Sequence, residues 1–307
     1  MKLTELAQTG KRVSHPWLAM VMVLIFFVIS QFVGLLNFFA LRINQQYPQP
    51  APGDENGMLK FITPQSAFEQ VLFLVGIFGT MAGLLWLYVW LYERRDFFST
   101  IGLAGTKRTA HQFVHGWLMG FVMFTVSVIA LLSVDLIELK GAPFEFASLW
   151  TLPGWLIQGG AEEIIFRGFL MPLMILRWGT AWGIIVNSFM FAVMHGLNPG
   201  ITLIAVLNLF LFGVVASLYT INENSLWGIG AAHAVWNWAQ GNFYGFEVSG
   251  QRMAGGSIFS MVEVGPDYLT GGTFGPEGGL AITAILLLAL AWQGHLFYHS
   301  QVAKKHY

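Results

Sequence analysis

The chemistry of this sequence lies in a few polar residues set inside otherwise apolar runs. Glu162, Glu163 and Arg167 fall in "GGAEEIIFRGFL" (159–170), His195 ends "FMFAVMH" (189–195), and His233 and Asn237 bracket "HAVWN" (233–237). An ionisable group at the centre of a bilayer costs about 2.5–3.5 kcal/mol on insertion scales, so such groups usually face a cavity or a partner. A carboxylate and an imidazole that share a water molecule can deprotonate it as it attacks a carbonyl. A second histidine and an asparagine amide can donate hydrogen bonds to the oxyanion that develops. These parts suffice for amide hydrolysis without a covalent intermediate.

Helical spacing divides the labour. Glu163 and Arg167 are four apart, share a face and can pair. Glu162 is turned about 100° from Glu163 and points elsewhere. His233 and Asn237 are again four apart, as are Phe191 and His195, which places a ring one turn before the imidazole. Counted from the turn at Arg177 to Thr180, Glu162 lies fifteen residues back and His195 fifteen residues on. On antiparallel neighbours both then sit roughly 22 Å from that turn, so they can meet.

Each residue alone has a plainer use. His233 can bond a neighbouring carbonyl, Asn237 can join two helices, and Glu163 with Arg167 can form a neutral ion pair. Arg167, however, neutralises only one of two adjacent glutamates, and chemistry explains the set better. Zinc ligation by Glu162, His195 and His233 is open in principle, but there is no HExxH. No GxSxG stands in a serine-protease setting. All four aspartates lie in loops or at span ends, against an aspartyl intramembrane protease.

The surrounding sequence must hold these groups in lipid. Of 307 residues, 55% are hydrophobic and 10% charged, and the mean hydropathy is +0.62. Soluble domains carry about 25% charged residues, so the composition is that of an integral membrane protein. There are no cysteines, which excludes disulfides, thiolate nucleophiles and cysteine-zinc sites. A net charge of -1 gives no reason to expect a nucleic-acid partner. No cleavable signal peptide is expected, because the first apolar run is longer than an h-region.

A span needs about 20 apolar residues, and this rule places eight helices. They run over 16–41, 68–92, 111–134, 149–176, 180–197, 200–221, 226–245 and 279–299. The expected fold is all-α and polytopic, a single integral membrane domain over 1–307. The polar "INQQYPQPAPGDENG" and the glycine-rich 246–278 read as long loops. With the N-terminus inside, ten basic residues are cytoplasmic: Lys2, Lys11, Arg12, Arg94, Arg95, Lys107, Arg108, Arg177, Lys304 and Lys305. Four lie outside: Arg42, Lys60, Lys140 and Arg252. The positive-inside rule therefore places both termini of a multi-pass cell-membrane protein in the cytoplasm.

"EEIIFR" (162–167), "FAVMH" (191–195) and "HAVWN" (233–237) also match a known signature of EExxxR, FxxxH and HxxxN on separate membrane helices. The sequence thus resembles the CAAX-processing and bacteriocin-processing (CPBP, or Abi) membrane proteases, relatives of the type II CAAX prenyl endopeptidases. The resemblance covers roughly 150–245 and implies a catalytic core of helices 4–7 around a water-filled cavity. By it, Glu162 is the base that activates water with help from His195, and His233 with Asn237 forms the oxyanion hole. Glu163 and Arg167 support the site and Phe191 lines the pocket. The mechanism implied uses glutamate, with no metal and no cofactor. The substrate is a membrane-associated peptide or protein, and a prenylated one is not favoured. The rival expectation is a non-catalytic binding, immunity or regulatory protein that uses the same cavity. A transporter ranks third, for want of visible repeats.

Overall fold

The computed structural model describes residues 13–45, 50 and 54–305. Lys2, Lys11 and Arg12 of the charge pattern lie outside the described residues, as does much of the polar connection after the first span. The long apolar runs become long helices because every backbone N–H and C=O in lipid must be satisfied within its own segment. α1 is Pro16–Asn44, α2 runs through Ala67–Glu93, and α3 is Thr109–Ser133. α4 starts as α-helix over Leu152–Glu163, passes through a π-helical stretch at Ile164–Leu170, and resumes as α-helix over Met171–Trp178. α5 is Thr180–Met194 and α6 is Leu203–Glu223. α7 is Trp227–Trp238 with a π-helical continuation at Ala239–Phe243, and α8 is Leu280–Lys305.

The eight expected spans are thus present as helices, and the fold is the all-α polytopic one. Among the described residues five, α1, α2, α3, α6 and α8, are long and apolar enough to cross a membrane by themselves. α5 is a shorter apolar helix. α4 and α7 carry the polar residues of interest and lie deep inside. α7 packs on α3 and α4, α5 packs on α6, and α6 packs on α8. Only 22% of the best apolar window of α1 is buried, against 61% in α6, so α1 presents most of its surface outward and α6 is central.

The close approach of α4 to α7 depends on glycine. A Cβ on Gly159 would lie 2.7 Å from the Ala234 backbone nitrogen, a distance real side chains do not reach. On the other side of α7, a Cβ on Gly116 of α3 would lie 1.9 Å from the Gly228 carbonyl oxygen. Small residues let membrane helices touch backbone to backbone.

The segments outside the helices contain more order than expected. β1 (Ile137–Gly141) pairs antiparallel with β2 (Ser260–Glu263), in register Ile137↔Glu263 and Leu139↔Met261. The stretch 246–278, expected as an irregular glycine-rich loop, folds against the helix ends. Asn242 fastens it by donating to the carbonyls of Ala254 and Gly256, both at 2.9 Å. Arg42, expected in an outer loop, is instead fully buried and paired with Glu69 at 2.7 Å.

Candidate active site

Glu162 and Glu163 end the first α-helical part of α4, and the π-helical stretch begins at the next residue. π-helical insertions are rare and cluster at functional sites. Glu163 and Arg167 are both fully buried, with Arg167 Nη1 3.1 Å from Glu163 Oε1. The same Oε1 accepts from His233 Nδ1 of α7 at 2.8 Å. Arg167 Nη2 donates to the Gly213 carbonyl of α6 at 3.3 Å. The guanidinium also lies over the Phe191 ring, 4.6 Å from its centroid, where the face of the ring attracts a cation. Phe191 is 1% exposed and stacks near His195, centroid to centroid 4.8 Å. One carboxylate thus holds an arginine and a histidine, and one ring separates that arginine from the second histidine.

Glu162 points a different way, as its position on the helix requires. It lines a cavity of about 210 Å³ together with His195, His233, Asn237 and Phe191. Its Oε1 accepts from Gln158 Nε2 at 2.8 Å, one turn earlier. Its Oε2 has no protein hydrogen-bond donor and lies 3.8 Å from His233 Nε2. Glu162 and His195 line the same cavity, with no direct hydrogen bond between them among the described residues. The nearest imidazole to Glu162 is that of His233. Gln158 Oε1 in turn accepts from Asn237 Nδ2 at 2.9 Å.

The tautomers follow from the partners. His195 Nδ1 lies 2.8 Å from the Phe191 carbonyl, which can only accept. Nδ1 therefore carries the proton, and Nε2 of the neutral ring is a base. His233 Nδ1 likewise faces the Glu163 carboxylate, so its Nε2 accepts in the neutral ring and donates only when the ring carries a second proton.

The sequence reading missed several residues that structure brings to the cavity. Gln158 is one. Phe212 of α6 packs edge-on against His233, centroids 4.9 Å apart. Ser249 and Glu277 arrive from the segment between α7 and α8. Ser249 Oγ donates to Glu277 Oε1 at 2.5 Å, and Asn208 Nδ2 holds the Glu277 carbonyl at 2.8 Å. Burial raises the Glu277 carboxyl above its ordinary range, against the Ser249 hydroxyl and the charges of His195 and His233, which pull it down. Among the described residues, no three His, Asp or Glu side chains converge closely enough to form a metal-binding group.

Residues 144–239 match the family described as type II CAAX prenyl endopeptidase Rce1-like. Over these residues the chain is similar to the Rce1-like family. The match takes in α4, α5, α6 and the α-helical part of α7, and with them Glu162, Glu163, Arg167, Phe191, His195, His233 and Asn237. Ser249 and Glu277 lie beyond it. No curated protein and no solved structure matches the chain. The family's description is of endopeptidases, so at the level of the family the match implies peptide-bond hydrolysis.

Proposed function

We propose that the protein is a glutamate-dependent, metal-independent intramembrane endopeptidase that cleaves a membrane-associated peptide or protein. The observation that carries the reading is a single cavity lined by Glu162, with one carboxylate oxygen lacking a protein donor, and by His195, His233 and Asn237. Water held by Glu162 Oε2 and His195 Nε2 attacks the scissile carbonyl carbon and gives its proton to Glu162. Asn237 Nδ2–H and His233 in its doubly protonated form donate to the oxyanion, where preorganised donors are worth most. The Glu163 carboxylate on Nδ1 balances that imidazolium charge. Collapse of the tetrahedral intermediate breaks the C–N bond, and Glu162 returns the proton to the leaving amine. Phe27, Phe73, Ile77 and Met81 give the cavity an apolar wall from α1 and α2, suited to an apolar segment of substrate.

The core of this enzyme is residues 150–245 within one membrane domain, with both termini cytoplasmic; reporter fusions to each terminus check the orientation. For the chemistry, purified protein in detergent is given fluorogenic peptides. Turnover is lost in E162A, H195A and H233A and persists in chelator. Activity that survives E162A overturns the mechanism, and chelator inhibition reversed by zinc replaces it with a metal-dependent one.

A further inference from the structure

Gln158 stands outside the roles assigned so far, yet it joins two of them. Its amide lies between Glu162 and Asn237, and the Gln158 residue is 6% exposed. Nε2 donates to Glu162 Oε1 at 2.8 Å, and Oε1 accepts from Asn237 Nδ2 at 2.9 Å. We infer that Gln158 is a positioning residue that orients the Asn237 amide according to the state of Glu162. This inference rests on the peptidase reading above.

The argument is one of donors and acceptors. An ionised carboxylate only accepts, so it demands the NH2 end of the Gln158 amide. The oxygen of Gln158 must then face α7, where it demands an NH2 from Asn237. Both amides are thus fixed in direction by one negative charge. Asn237 Nδ2 has two hydrogens; one is taken by Gln158, and the other remains for a developing oxyanion. The same contact occupies Glu162 Oε1, leaving Oε2 as the oxygen that takes the proton from water.

The relay also predicts what proton transfer does. Once Glu162 has the proton, its hydroxyl can donate as well as accept, and the demand on Gln158 is relaxed. The asparagine donor is therefore held most firmly while the base is ionised and ready to attack. Close-packed α4 and α7 keep the three side chains in reach, because Gly159 lets the helices touch one residue after Gln158.

The test uses the full chain in detergent and a fluorogenic peptide that the wild type cleaves. Q158L removes both hydrogen bonds at similar size, and Q158E keeps an acceptor for Asn237 but sets a carboxylate against Glu162. Both are expected to lower kcat about 10–100-fold, the scale of a lost oxyanion-hole donor or somewhat less, with KM within about twofold. Q158L in an N237A background is expected to cost much less than in the wild type, since coupled sites are not additive. Wild-type kcat in either variant overturns the inference, as does a loss confined to KM or full multiplication of the Q158L and N237A effects. Should Q158L fail to fold by tryptophan-monitored melting, Q158E decides. E162Q separates the two readings. If E162Q is inactive while Q158L is not, the relay is wrong and the glutamate mechanism stands; if E162Q turns over normally, the glutamate mechanism itself falls.

Discussion

Of the buried arginine–glutamate pairs among the described residues, two that lie within the helices are built differently. Arg42 of α1 meets Glu69 of α2 at 2.7 Å, and its other nitrogens donate to the carbonyls of Phe61 and Thr63 at 3.3 and 2.8 Å. Glu69 Oε2 accepts from the Gln65 N–H at 2.7 Å, so both carboxylate oxygens are engaged. Arg167 and Glu163 of α4 meet at 3.1 Å, yet Glu163 Oε2 and Arg167 Nε lack hydrogen-bond partners. Glu163 Oε1 is shared with His233. A saturated buried pair is a fastening; an incompletely satisfied one keeps polar capacity in low dielectric, where it acts strongly on its neighbours. The second pair sits beside a cavity and next to a second glutamate, whereas the first has no such company. Charge burial alone therefore does not mark a site. What distinguishes the second pair is the leftover hydrogen-bonding capacity around it.

The largest effect that separates the two regions is on catalysis. E162Q should lower kcat by about 10³-fold or more, within the range of general acid–base contributions, while its melting temperature stays near wild type. E69Q, tested alongside, should leave the kcat of folded protein unchanged. A peptidase assay paired with detergent melting curves decides both.

Stability should treat the pairs alike. E163Q and E69Q each leave a buried arginine without its carboxylate, which costs about 3–5 kcal/mol. Only E163Q should also lower kcat, because it releases His233. A smaller effect is expected at the helix contact. G159A drives a Cβ into the α7 backbone and should destabilise by about 1–3 kcal/mol, with a fall in kcat that has no counterpart at the Arg42 pair.

The smallest effect belongs to a carboxyl with no arginine beside it. Glu263 of β2 is pushed up from 4.5 to about 7, first by burial and then by Glu247 and Asp267, against Thr270 and the Gly272 N–H. Between those two values the folded chain keeps a proton that the unfolded chain has lost. Its contribution to stability is therefore full below pH 4.5 and is lost as the pH rises to about 7. E263Q should remove that decline, making the variant more stable than wild type at pH 8 by about 1 kcal/mol after solvent screening. Equal melting temperatures at pH 4 and a difference at pH 8 would bear this out.

Much of this was legible in the sequence where the governing interaction is local. Apolar runs placed the helices within a few residues, since span length is fixed by the bilayer. The four-residue spacing of Glu163 and Arg167 foretold their pair. The same spacing separates Gln158 from Glu162, and it could have exposed Gln158 had amides been weighed with charges. What connects α4 to α7 was not legible. The hydrogen bond from His233 to Glu163 joins residues 70 apart, and only the packing at Gly159 brings them together. The β1–β2 pairing and the arrival of Glu277 are more distant still, carried by a segment whose glycines and polar residues read as loop. The π-helical stretch after Glu163 left no periodic signal.

The cavity wall formed by Ser249 and Glu277 lies outside the part of the chain that matches the Rce1-like family. Tools and jaw are in this sense separately encoded: one contiguous stretch supplies the groups that would act on a peptide bond, and a later segment helps shape the space a peptide must enter. A change of diet for such a protein would then not require a change of teeth. Exchange of residues 246–279 could alter which chains are accepted while the carboxylates and imidazoles stay as they are.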